Sequence, residues 1–398
     1  MSSDATDLAL DALELDIGPD GTPRNPILVV PLDAWAAEPT ERIEQLAAAA
    51  ADSLRLTIGV SHGAVSPRLE PLLQALTLTV AGRAGDFPTI VEHPDPDTAV
   101  GHRTVAGRAE NAPTFIERPD AVGHATPAGQ AGGSPTIIEH PDPDTAVRHL
   151  TAAIERNPQA SIALGRLLRQ TAVPETTAGL AAEAAVYSML LAGTEFQRWL
   201  TARGGPRTVR FPDRPLVRLD RDGALLSVTL DHPERRNALS SRLREELLDA
   251  LRLAELDPDI DRVLLRGTGP VFCSGGDLDE FGTATDVVAA YQVRLERGPW
   301  RIIDRLSDRV TAHVHGACIG AGIEISAFAG RLIAAPDTYF RLPEIEMGLV
   351  PGAGGTVSVP RRIGRWRAAW MMLTGTRIDT TTALRWNLID DIEELPVD

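Results

Sequence analysis

"GACIGAGIEISAFAGRLIAAPDTYFRLPEIEMGLVPGAGGT" spans Gly316 to Thr356. Three closely set glycines, the glutamates Glu324 and Glu344 and a second glycine cluster share this segment, although glycine weakens helix and strand interiors alike. Glycines are useful where backbone N–H groups must approach a ligand. A Gly-rich loop that opens a helix presents those groups in a concave arrangement, with the helix's positive end behind them. Such a place stabilises an oxyanion. A second loop of this form, "FCSGGDL", lies upstream at Phe272–Leu278. Two carboxylates can divide proton removal and proton delivery when their surroundings differ. Either loop alone also reads as a tight turn, and either glutamate as a helix-start or surface carboxylate. Their joint spacing is what points to chemistry.

Working outward, "ALLSVTL" is strand-like, "SSRLREELLDALRLAEL" is an amphipathic helix and "RVLLRG" is again strand-like. This predicts alternating β and α elements over residues 214–398. Residues 1–86 read as a small α/β unit, with strand-like "PILVVPL" and "LRLTIGV" and helical "PTERIEQLAAAAADSL" and "PRLEPLLQAL". Residues 87–148 are rich in Pro, Gly and Asp. They contain a repeat, "PTIVEHPDPDTAVGH" at 88, "PTFIERPDAVGH" at 113 and "PTIIEHPDPDTAV" at 135, each a short extended piece with a proline-directed turn. A linker or inserted arm fits these copies better than a minimal solenoid. His93, His102, His124 and His140 recur with the repeat and read as exposed copies, so no metal is expected. Residues 149–204 form a helical segment in which Leu180, Ala184, Tyr187 and Leu191 share one helix face.

Composition narrows the chemistry. The 398 residues carry a formal charge of −16, which argues against binding nucleic acid or an anionic membrane. All 39 basic residues are arginine, which removes lysine Schiff-base chemistry and a P-loop lysine. The two cysteines, Cys273 and Cys318, suit a reducing compartment and exclude a disulfide scaffold. The acidic start lacks signal-peptide order, and no apolar run reaches membrane-spanning length. These features set the expectation of a soluble cytoplasmic protein.

"DHPERRNALS", "DRVLLRGTGPVFCSGGDLDEF", "HGACIGAGIE", "LPEIEMGLVPGAGGT" and "LTGTRIDTTTALRWNLIDDI", in this order, resemble the enoyl-CoA hydratase/isomerase (crotonase) superfamily over about residues 215–395. The resemblance implies an α/β fold with a ββα spiral core, here preceded by an N-terminal α/β unit and a helical extension. It implies that the N–H groups of Gly276 and Ala321 polarise a thioester carbonyl, with alanine in a place where glycine is frequent. Glu324 and Glu344 are the implied catalytic pair, and keeping both favours hydration of a 2-enoyl-CoA over isomerisation, which commonly relies on the position of Glu344. Isomerisation, cofactor-independent oxygenation of an aryl-acetyl-CoA and a noncatalytic acyl-CoA-binding role are the alternatives. Arg235 and Arg236 match places near the coenzyme A pantetheine and phosphates, and Asp277 and Gly320, neighbours of the two donors, complete the substrate-binding set. The expected partner is an acyl-CoA thioester. No separate cofactor is expected, and the family's habit suggests a homo-oligomer, trimer or hexamer. Glu346, Asp279 and Glu280 read as local hydrogen-bonders, His313 and His315 as structural, and both cysteines as packing residues.

The family usually continues past the equivalent of "WNLIDDI" with helices that cover the acyl pocket. "NPQASIALGRLLRQ" and "AGLAAEAAVYSMLLAGTEFQRWLTARG" look like those helices moved upstream, and the opening α/β unit like a worn-down first copy of the same fold. The upstream helices are therefore expected to supply the cover.

Overall fold

The computed structural model describes residues 13–82, 136–171 and 175–395. The first two repeat copies, with His93, His102 and His124, lie outside them, while His140 of the third copy is buried and not exposed as expected, its Nδ1 2.6 Å from the Asp142 carbonyl. The apolar runs read as strands above become β1 (Ile27–Pro31) and β2 (Leu56–Ser61), followed by β3 (Leu78–Ala81) and β4 (Ile137–Glu139) in one parallel sheet of order β1-β2-β3-β4. Between them run α1 (Leu32–Trp35), α2 (Thr40–Asp52) and α3 (Glu70–Ala75). The third repeat copy supplies β4 and the first turns of α4 (Pro143–Arg156). There Asp142 accepts the Thr145 N–H at 3.0 Å as an N-cap, with proline at the first helical position.

Three more helices follow: α5 (Pro158–Thr171), α6 (Thr176–Leu191) and α7 (Thr194–Arg203). Leu180, Ala184, Tyr187 and Leu191 on α6 are all buried, as their spacing predicts. α7 ends at Gly204, whose φ of 90° suits a left-handed C-terminal stop.

The rest of the chain winds between two sheets. One has the order β13-β10-β8-β7-β6-β5 and the other β12-β11-β9. Its elements are β5 (Val217–Asp222), β6 (Leu225–Leu230), α8 (Ser241–Leu256), β7 (Arg262–Gly267), α9 (Val287–Glu296), α10 (Trp300–Arg305), β8 (Val310–Val314), β9 (Ala317–Ile319), α11 (Ala321–Ser326), β10 (Arg331–Ala334), β11 (Tyr339–Arg341), α12 (Gly355–Thr374), β12 (Ile378–Asp379), α13 (Thr380–Arg385) and β13 (Asp391–Ile392). β8 belongs to the large sheet and β9 to the small one, and α11 returns the chain to β10 in the large sheet and β11 in the small one. Bridges at Leu239–Gly276 and Cys273–Cys318 extend the small sheet backward in the same rhythm. This repetition of strand, strand and helix is the ββα spiral.

Apolar alternation drives it. Val263 and Leu265 of β7 and Val228 and Leu230 of β6 are at most 1% exposed, in one core with Leu243, Leu247 and Leu251 of α8. Each such side chain contributes about 1.5–3 kcal/mol by leaving water. The same core continues through α4, α5 and α6 to Leu56, Leu78 and Ile138 of the first sheet, while a smaller cluster around Trp35, Ile43 and Leu72 covers that sheet elsewhere. Among the described residues no helix is long and apolar enough to cross a membrane.

Candidate active site

The two glycine loops are joined directly. The Cys273 N–H donates to the Ala317 carbonyl at 3.2 Å and the Ile319 N–H to the Cys273 carbonyl at 3.0 Å. A third segment locks the first loop from its other side, with the Leu239 N–H on the Gly275 carbonyl at 2.7 Å and the Asp277 N–H on the Leu239 carbonyl at 3.2 Å. Gly275 and Gly320 turn the chain at φ of 97° and 49°, where a side chain would be strained. Each turn leads into a donor. Among the described residues, no backbone carbonyl takes the N–H of Gly276 or of Ala321. Both residues line one cavity of about 230 Å³, together with Glu324 and Glu344. Ala321 starts α11 with φ outside the left-handed region, so alanine fits there without strain.

Glu324 sits in the first turn of α11, and Glu344 in the short 3-10 turn Glu344–Met347 after β11. Gly320 lies against both. A Cβ at that position would stand 2.7 Å from Glu344 Oε1 and 4.0 Å from Glu324 Oε1, so glycine here makes room for the two carboxylates. Glu324 is 2% exposed, and its Oε2 accepts the N–H groups of Ala353 at 2.7 Å and Gly355 at 3.0 Å. Burial, then the neighbouring Glu344 and Glu183, push its carboxyl well above the usual range, while those two N–H bonds pull the other way. Burial pushes Glu344 up to about 8, and its buried Oε2 has no hydrogen-bond partner among the described residues. A pair of this kind holds a proton at neutral pH and can also accept one.

The binding-set residues divide. Asp277 lines the cavity, but its carboxylate is held by Arg235, whose Nη2 is 2.6 Å from Asp277 and 2.8 Å from Asp279. Arg235 thus braces the "GGDL" loop instead of standing free, and Arg236 is the exposed arginine of its pair. Glu280 accepts the Ser241 N–H at 2.7 Å at the start of α8, and Glu346 pairs with Arg341 at 2.6 Å. His315 lies 2.8 Å from the Gly269 carbonyl, and burial lowers the His313 pKa. Burial pushes the Cys273 thiol up to about 12 and Cys318 well above its usual value, which leaves no thiolate nucleophile.

The pocket also takes residues from far upstream. Tyr187 and Leu191 of α6 line it, and Arg294 of α9 lies 3.5 Å over the Tyr187 ring while donating to the Gly352 carbonyl at 2.8 Å. Asn157 donates to the Ile345 carbonyl at 2.7 Å, next to Glu344. Glu183 of α6 is 2% exposed and bonds to the loop that holds Glu324. The sequence carries one signal for it: a lone carboxylate in the otherwise uncharged "AGLAAEAAVYSMLLAG", which must find partners if that helix is buried.

The family model described as Enoyl-CoA hydratase/isomerase matches residues 220–395. A probable enoyl-CoA hydratase, echA14 of Mycobacterium tuberculosis (strain CDC 1551 / Oshkosh), is 32% identical over 186 residues, 46% of this chain and 72% of that protein. The chain belongs to the enoyl-CoA hydratase/isomerase family. The probable enoyl-CoA hydratase echA8 of Mycobacterium leprae (strain TN) is 32% identical over 165 residues, 42% of this chain, and the chain spans 63% of that relative's length. Enoyl-CoA hydratase from Thermoplasma volcanium GSS1 is a solved structure with 30% identity, covering 46% of this chain and 73% of that one at a TM-score of 0.43. In this member of the enoyl-CoA hydratase/isomerase family, Glu183, Tyr187 and Leu191 all come from before the stretch matched by the family model.

Proposed function

We propose that the protein is an acyl-CoA hydratase-like lyase that adds water to, or removes it from, the double bond of a 2-enoyl-CoA. The observation that carries this reading is that two N–H groups without backbone acceptors and two buried carboxylates line one cavity. In the forward direction the thioester oxygen accepts from Gly276 and Ala321, which draws electrons from the alkene toward that oxygen. Glu324, steadied by two backbone N–H groups, takes a proton as the water oxygen bonds to the β carbon. The resulting enolate collapses as Glu344, whose Oε2 has no partner among the described residues, delivers its proton to the α carbon. The net change is one water added, and the two carboxyls exchange protonation roles. Arg236, exposed beside the braced Arg235, is the residue of that loop suited to a coenzyme A phosphate.

The test is incubation of the full chain with a panel of enoyl- and aryl-CoA esters in ¹⁸O-labelled water under air, followed by mass spectrometry. Hydration places label on the β carbon. A shifted alkene without label, oxygen uptake, or tight binding with no turnover would each overturn the assignment.

A further inference from the structure

Four consecutive N–H groups at the head of α12 are shared between two carboxylates from different parts of the chain. Glu324 Oε2 accepts from Ala353 and Gly355 at 2.7 and 3.0 Å. Glu183 accepts from Gly354 at 2.7 Å and Thr356 at 2.9 Å, and its Oε2 also takes the Thr356 hydroxyl at 2.8 Å. The donors alternate, so the register that suits one carboxylate sets the register of the other. We infer that Glu183 is a positioning residue for the proposed catalytic pair: it fixes the Ala353–Thr356 turn that in turn fixes Glu324.

Three features support this. The turn has no side-chain N-cap of its own: Gly354, at φ of 93°, occupies that place, so the orphan N–H groups of α12 depend on the two glutamates. The fit is close, since a Cβ on Gly355 would come within 2.6 Å of Glu324 Cγ, and one on Gly354 within 2.4 Å of the Phe328 ring. The carboxylate of Glu183 is kept in an otherwise uncharged helix, a costly placement that its three hydrogen bonds offset. A core-filling residue would serve α6 equally well as a packing surface, but it could not order the turn. Burial raises Glu183 to about 7, with the Thr356 and Gly354 bonds and Arg294 opposing, so its bonded and charged state is sensitive to the same surroundings as the pair.

The inference rests on the hydratase reading, and its test separates the two. In Glu183→Gln an amide NH₂ replaces one acceptor and faces an N–H donor. The expected result is a fall in kcat of about 100-fold, the scale of a small misplacement of a catalytic group, with KM changed less than about threefold. In a Glu324→Gln background the same substitution should cost less than about threefold more, because Glu183 acts through Glu324. Losses that multiply in the double variant, or a change in KM alone, would overturn the inference. Amide hydrogen exchange gives a readout independent of turnover. Residues 353–356 should lose protection in Glu183→Gln while α8 keeps it; unchanged exchange in the turn, or loss throughout, refutes the positioning role. If the wild type turns over no ester, the hydratase reading fails, and the exchange result still decides whether Glu183 orders the turn.

Discussion

At the ends of β1 and β2, Asp33 and Asp144 meet His62 in the open, whereas beyond β9 and β11 Glu324 and Glu344 meet under a roof of helices. In the first cluster His62 lies 3.1 Å from Asp144 and 3.4 Å from Asp33, with side chains 59%, 61% and 52% exposed. Its carboxylates are solvated and every partner is satisfied locally. The hydrogen bond to Asp144, then that to Asp33, raises the His62 pKa, a modest surface effect. In the second cluster the carboxylates are 2% and 8% exposed, and burial is the largest cause of their upward shifts. The residue types are similar. What separates an ordinary ion pair from a proton-handling site is the cover, to which α6 contributes Tyr187 and Leu191.

That contrast can be broken from either side. The largest effect is expected for Glu344→Gln and Glu324→Gln, each lowering kcat by about 10²–10⁴-fold as the loss of a general acid or base does. Steady-state kinetics checks this, with circular dichroism to show that the fold survives. Gly320→Ala comes next: its Cβ would enter the space 2.7 Å from Glu344 Oε1 at a positive φ, so turnover should fall about 100-fold and stability by about 1–2 kcal/mol, read from urea midpoints. Glu344, pushed up to about 8, holds a proton in the folded state that the unfolded chain releases near pH 4–5. Its contribution to stability is therefore complete below that range and is lost as pH rises through about 8. Urea midpoints should fall between pH 6 and 9 from this cause, and the alkaline limb of kcat should follow the loss of the Glu344 proton. The smallest effect is expected for His62→Ala, which should leave turnover unchanged. A loss of activity there would tie the open cluster to the covered one.

Much of this arrangement was legible in the chain. "RVLLRG" is β7 from end to end, the helix predicted after Leu239 is α8, and the face Leu180, Ala184, Tyr187, Leu191 is the buried side of α6. These follow from periodicity, which a single segment contains. The pairing of Cys273 with Cys318 and the bracing of Asp277 by Arg235 depend on register between distant segments, which no local pattern encodes. The resemblance places Arg235 near the coenzyme A phosphates, but the pairing with Asp277 and Asp279 depends on how the "GGDL" loop folds beside it, which the loop's own sequence does not encode. Glu183 was visible only as an anomaly of composition, since its partners lie more than a hundred and fifty positions downstream.

The order of these pieces along the chain has a consequence for synthesis. Glu183 emerges from the ribosome 171 residues before Gly354, the first donor it bonds. Burial of Glu183 without the Gly354 and Thr356 donors would leave a carboxylate desolvated and unpaired, so the packed position of α6 is favourable only once residues 354–356 have been made.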